Sequence, residues 1–294
     1  MSDNTPEQTF PPEILDQMNK AGLSFLHRNL VGVINTDTGG YGSSVAIEYK
    51  DETFLFTAAH NLPKSMDCFR FFSEYDTDQF VPIKAVDRNG NKVDRFYGIP
   101  LPIHRVDFDS KNDVAFIHTD KETLNSTLKK EPISSEMFSS KYEFGWQGFV
   151  HGFPSGYAEE TKQLKNTVVD RKNLKIQERY ESIIELQQVA HLETFLDPHS
   201  FTDDQFNREL TENEIFLTRT TSKPFKHFKG FSGGGIWASI PFELSDDKLF
   251  HPTDHLRLVG IQNSASLDSR EMHYIRGTTI AVALNMVDRY LDET

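Results

Sequence analysis

The stretch Lys229-Gly230-Phe231-Ser232-Gly233-Gly234-Gly235 decides how the rest of the chain is read. A serine stands among glycines, and the apolar run Ile236-Trp237-Ala238 follows it. Glycine lacks a Cβ, so the backbone here can turn sharply and bring its N–H groups close to a bound carbonyl. Taken alone, the pattern also suits a phosphate nest or a plain strand connection. Its meaning depends on residues far upstream.

Two stretches supply them. Phe54-Leu55-Phe56-Thr57-Ala58-Ala59-His60 reads as a buried strand running into a small-residue turn that ends in histidine. Asn112-Asp113-Val114-Ala115-Phe116-Ile117 sets an aspartate at the mouth of another apolar strand. Each residue alone has an ordinary reading: His60 as a core histidine, Asp113 as a strand-end cap, Ser232 as a turn residue. They stand in the order His, Asp, Ser, 53 and 119 residues apart, far enough for each to sit on a different part of a β structure. Asp107 and Asp109 are alternatives for the acid. Asp113 is preferred because Val-Ala-Phe-Ile follows it directly.

With these three motifs, Thr-Ala-Ala-His, Asp followed by an apolar residue and Ala, and Gly-x-Ser-Gly-Gly, the chain resembles the chymotrypsin-fold (trypsin-like) serine peptidases. The likeness runs from about Gly40 to the C-terminus with one long irregular insertion. It implies a mainly β fold of two six-stranded antiparallel barrels and a catalytic triad of His60, Asp113 and Ser232. It also implies an oxyanion hole from the N–H groups of Gly230 and Ser232. No cofactor and no metal are implied, since no His-x-x-x-His or cysteine cluster offers ligand spacing. A serine esterase of α/β type fits less well, because that class runs Ser, acid, His. The rival from another class is a catalytically silent peptidase fold that binds protein.

Composition narrows the partners. A formal charge of −13 opposes nucleic acid, which needs a concentrated basic face. No run approaches the roughly 18 apolar residues of a membrane helix. The mean hydropathy of −0.51 is low for a barrel enzyme alone, so a polar segment is expected outside the core. Met1–Glu13 is polar and acidic, with no basic-then-apolar secretion pattern. The one cysteine, Cys68, allows no internal disulfide, unlike many secreted members of the resembled family. Both observations favour a cytoplasmic, reducing location, although a removed signal peptide would leave no trace.

Taken in order, residues 1–29 are expected to form a polar leader and an amphipathic helix built on Ile14, Leu15, Met18, Leu23, Phe25 and Leu26. Residues 30–120 are assigned to the first barrel. Its strands are read at Leu30–Ile34, Ser43–Tyr49, Thr53–Thr57, Phe69–Phe72, Phe80–Val86 and Lys92–Tyr97, and His104–Asp109 as a polar approach to Asp113. Residues 121–142 are the inter-barrel connection, and 143–294 the second barrel, beginning near Phe144–Pro154. Within it, about 157–219 is a charged insertion with strand signals only at Thr167–Val169 and Ile215–Leu217. Its stretch from Tyr180 to Leu192 reads as helix or as strand. The insertion is either a solvated elaboration or a module that shapes substrate access or receives a regulatory protein. Leu256–Ile261 is a strand, and Thr278–Leu291 a closing helix behind a threonine cap.

The resemblance also implies a substrate. A peptide or protein would pair with the strand at Asn263, Ser264 and Ala265, and the pocket floor would fall six residues before the serine, at Lys226 beside His227. A buried Lys226 would repel basic side chains and favour acidic ones. If its stem carries it into solvent, Phe225 or Phe228 would line an apolar pocket instead. Phe231 stands where secreted relatives place the aspartate that pairs with a new N-terminus after cleavage.

Overall fold

The computed structural model describes residues 21–22, 24–37, 40–73, 82–86, 92–96, 98–140, 147–153, 194–195, 211–219, 230–240, 251–267 and 273–293. Fourteen strands lie among them: β1 (Leu30–Asn35), β2 (Gly40–Tyr49), β3 (Glu52–Thr57), β4 (Phe69–Phe72), β5 (Pro82–Val86), β6 (Lys92–Phe96), β7 (Arg105–Asp109), β8 (Val114–Thr119), β9 (Gln147–His151), β10 (Thr194–Phe195), β11 (Glu214–Arg219), β12 (Gly235–Ser239), β13 (Leu256–Leu267) and β14 (His273–Thr279). The chain is mainly β, in two six-stranded antiparallel sheets and a separate hairpin.

The first sheet runs β4-β1-β2-β3-β8-β7. Its central strands are nearly unbroken apolar runs because both of their faces are covered. Side chains alternate across a strand. Val45, Ile47, Phe54, Phe56, Val114 and Phe116 therefore face one core cluster, while Ala46, Leu55 and Ile117 face another. Gly32 leaves room on β1 for the Phe72 ring, which a Cβ there would overlap.

Two expectations are corrected here. Among the described residues the first sheet does not close into the expected barrel: β4 and β7 are its edges, and β5 pairs only with β6. The six strands of the first sheet include β7 and β8 in place of β5 and β6, which pair with each other. The stretch read as a polar approach is a strand, β7, paired with β8 from Arg105↔His118 to Asp109↔Val114. Its charges suit an edge, where they discourage further pairing.

The second sheet pairs in a ring, β10-β11-β14-β13-β12-β9, and the ring is completed by β10, only two residues long. Phe195 faces Gln147 on one side and Thr218 on the other. Both β10 and β11 lie within the segment assigned to the insertion, so those parts of it belong to the sheet. The readings at Thr167–Val169 and Tyr180–Leu192 lie outside the described residues.

The cluster that takes one face of the first sheet continues into the second through Trp237, Leu256, Leu258 and Ile261. The C-terminal helix, Ile280–Asp292, closes it with Ile280, Val282, Ala283, Met286 and Val287. Each large apolar side chain buried this way contributes about 1.5–3 kcal/mol. Thr279 occupies the N-cap position but makes no side-chain capping bond. At the other end of the chain, residues 24–29 are helical, and Phe25 meets Trp237 edge-on at 6.2 Å. No helix among the described residues is long and apolar enough to cross a membrane.

Candidate active site

His60 follows the end of a buried strand, and Asp113 and Ser232 each lie just before the start of one. β3 stops at Thr57, and the small residues Ala58 and Ala59 admit a tight turn, Ala59–Asn61, that presents His60. Asp113 precedes β8 with a φ of 50°. That left-handed conformation is one that aspartate tolerates better than most residues. Ser232 lies in the turn entering β12, between Gly230 at φ 94° and Gly233 at φ 88°. Gly233 cannot be another residue: its backbone is left-handed, and a Cβ there would overlap the Ser43 carbonyl and the Thr57 hydroxyl.

The structure brings the three together. Asp113 Oδ2 lies 2.7 Å from His60 Nδ1, and Asp113 Oδ1 accepts the His60 main-chain N–H at 3.0 Å. Ser232 Oγ is 2.7 Å from His60 Nε2. An ionised carboxylate only accepts hydrogen bonds, so the ring proton belongs on Nδ1 and the Nε2 lone pair faces the serine hydroxyl. The His60 side chain is 50% exposed and that of Asp113 34%, leaving the ring open to an incoming molecule.

Neither alternative acid engages His60. Asp107 Oδ1 accepts from the Phe108 N–H, while Asp109 takes the N–H groups of Lys111 and Asn112 and the Asn112 side chain. Burial pushes the Asp109 carboxyl up, but the hydrogen bonds from the Asn112 side chain and from the main chain of Asn112 and Lys111 outweigh it and hold the group below its ordinary value. Asp109 thus shapes the turn that delivers Asp113.

The glycine turn leaves two donors unused. Phe231 C=O accepts from Gly234 N–H at 2.8 Å. A trans peptide points its C=O and N–H in opposite directions, so the Ser232 N–H is turned away from that bond. Among the described residues neither Gly230 N–H nor Ser232 N–H has an acceptor.

The residues predicted to line the substrate fare differently. Lys226 and His227 lie outside the described residues. Asn263 is buried at 8% exposure, and its amide is committed to the Asn112 carbonyl at 3.2 Å and the Thr278 hydroxyl at 3.1 Å. Thr278 Oγ1 also donates to the Asn112 carbonyl. The side chain therefore braces the acid-bearing turn rather than facing a ligand. The Asn263 carbonyl, in contrast, is 3.3 Å from Ser232 Oγ. Ser264 donates to Asn263 Oδ1 at 3.2 Å, and Ala265 pairs with Ile275 of β14. From Asn263 onward, β13 is paired on one edge only among the described residues.

Sequence reasoning missed Ser43, Asn61, Asn112 and Thr278. Two local signals were present: Asn61 follows His60 directly, and Gly42-Ser43-Ser44 interrupts an otherwise apolar strand. Among the described residues no group of three or more His, Cys, Asp or Glu is arranged to hold a metal.

No protein-family model and no curated protein matches the sequence. Solved structures similar to the chain include Rv3671c from M. tuberculosis H37Rv, in an inactive form carrying a serine-to-alanine substitution. That match has 12% identity and a TM-score of 0.44, covering 97% of this chain and 96% of the other. The serine endoprotease from Yersinia pestis is similar at 12% identity and a TM-score of 0.44, over 92% of this chain and 65% of the other.

Proposed function

We propose that the chain is a serine endopeptidase. The observation that carries this reading is the unbroken hydrogen-bonded line from Asp113 through His60 to Ser232 Oγ. In the reaction, Ser232 Oγ attacks a peptide carbonyl while His60 Nε2 takes its proton. The tetrahedral intermediate collapses, His60 returns the proton to the departing amine, and an acyl ester remains on Ser232. Water then enters, His60 takes its proton, and the acid product leaves as the serine is restored. Asp113 holds the ring in the needed tautomer and stabilises the imidazolium.

The unused N–H groups of Gly230 and Ser232 supply the oxyanion hole, where each donor is worth about 3 kcal/mol in the transition state. The edge of β13 from Asn263 through Ala265, which pairs with no strand among the described residues, can take an extended peptide as an added strand, which favours a protein or peptide substrate. The chemistry needs no metal or organic cofactor. The cytoplasmic location read from the sequence belongs to the same proposal.

A fluorophosphonate probe tests the reading directly. Covalent labelling that disappears in Ser232→Ala supports it. A folded wild-type chain that never labels leaves the silent binding fold in its place. Comparing new protein N-termini in cells carrying wild type or Ser232→Ala would then identify substrates.

A further inference from the structure

Ser43 lies in the middle of β2, fully buried, yet it binds the serine turn at two points. Its hydroxyl donates to the Gly230 carbonyl at 2.7 Å and accepts the Phe153 N–H at 2.8 Å. Its main-chain N–H donates to the Ser232 carbonyl at 2.7 Å, and its own carbonyl accepts from Thr57 Oγ1 at 2.7 Å. Asn61 approaches the same carbonyl from the other side: Nδ2 donates to Ser232 O at 2.8 Å and contacts Thr57 Oγ1 at 3.1 Å. Gly42 makes room for this amide, since a Cβ there would overlap it.

We infer that the Ser43 hydroxyl and the Asn61 amide are positioning residues that clamp the Gly230 and Ser232 carbonyls against the first sheet and so hold the nucleophile turn in its reactive shape. The inference rests on the peptidase reading for its catalytic part only. With its carbonyls held on the first-sheet side, the turn has little freedom to rotate the peptides that carry the Gly230 and Ser232 N–H groups. Among the described residues the turn is also tied by Gly233 N–H to Gln262 O, Gln262 N–H to Gly234 O and the bond from Gly234 N–H to Phe231 O. Three glycines give such a segment many alternative shapes. Removing the Ser43 hydroxyl leaves a buried carbonyl and a buried N–H without their partner, a loss the turn can relieve by turning the Gly230–Phe231 peptide. Phe231 is buried and apolar, so the clamp fixes the turn with neutral hydrogen bonds.

The test compares wild type, Ser43→Ala, Asn61→Ala and Ser232→Ala in the full chain. Hydrogen exchange is followed at residues 231–235, together with the concentration dependence of fluorophosphonate labelling and the melting temperature. The expected result is at least tenfold faster exchange at Gly233 and Gly234 in both clamp variants. Maximal labelling rate should fall at least tenfold at an unchanged half-saturating concentration, a split that a general loss of folded protein would not produce. Wild-type exchange and labelling in a folded Ser43→Ala chain would overturn the inference. If Ser43→Ala does not fold, the same two readings on Asn61→Ala decide it. If wild type itself fails to label, the peptidase reading falls, and exchange still decides the clamp: faster in the variants supports it, unchanged overturns it.

Discussion

Asn263 donates its side-chain amide to the main-chain carbonyl of Asn112, so a strand of the second sheet grips the peptide immediately before Asp113 in the first. The bond spans the boundary between the sheets that carry the serine and the acid. Replacing Asn263 with alanine removes it together with the bond to Thr278. We expect labelling of Ser232 to slow on the order of tenfold, the equivalent of one buried hydrogen bond. Asn263→Asp should be worse, because its carboxylate would face a carbonyl. Labelling rates at matched folded fraction provide the check.

Asp113→Asn keeps the shape of the acid but can donate to His60 Nδ1, turning the ring to the wrong tautomer. Turnover of a peptide or ester substrate should fall by about 10⁴-fold, as expected for this change in a Ser-His-Asp site. The His60 main-chain N–H can still find Oδ1, so the melting temperature should move little. Steady-state kinetics beside a thermal melt separates the two effects.

The turn shaped by Asp109 predicts an acid-sensitive contribution to stability. Its carboxyl is held below the ordinary value in the folded chain. The stabilisation is therefore fully present above the unfolded value of about 3.9 and is lost as pH falls through the folded one. Wild type should melt above Asp109→Ala by a constant margin from pH 7 to pH 5, with the margin closing below about pH 4. A margin that instead grows on acidification would contradict the assignment.

Phe231 leaves no carboxylate to receive a new N-terminus. Full-length chain should accordingly label without prior cleavage, with the intact mass of the adduct equal to the 294-residue chain plus the probe less HF, the fluoride leaving as Ser232 Oγ bonds to phosphorus. Phe231→Asp would bury an unpaired charge at a position 1% exposed and should lower stability by several kcal/mol.

The ring of the second sheet makes a distinction within the long segment. Deleting Ala158–Glu214 removes β10 and the start of β11, and should abolish both labelling and cooperative melting. A shorter deletion, Ala158–His191, keeps Thr194 and Phe195 and should retain labelling of Ser232. Melting curves and probe gels on both chains test this.

The three motifs were legible because each joins a chemically distinctive residue to a local pattern: His60 after two alanines, Asp113 before Val-Ala-Phe-Ile, Ser232 among glycines. The bracing around them was not. The bonds from Ser43 to Gly230 and from Asn263 to Asn112 join residues 187 and 151 positions apart, and they exist only once the register of β2 and β13 is set. The break that Gly42-Ser43-Ser44 makes in its strand marks a polar position but not its partner, and Asn263 carries no local mark at all. β7 was misread although Arg105–Asp109 alternates polar and apolar residues, because its three charges outnumber two apolar positions and Phe108 is exposed at this edge. β10 has two residues and no pattern to find.

The core shared by the two sheets also sets a schedule for the chain's birth. Val45, Phe54, Phe56 and Phe116 leave the ribosome more than a hundred residues ahead of Trp237 and of the helix residues Ile280, Met286 and Val287 that cover them. At roughly 5–20 residues per second, that leaves the inner face of β2, β3 and β8 uncovered for on the order of 10 s. During that interval the nascent chain presents apolar strands without their lid, the kind of surface on which aggregation competes with folding.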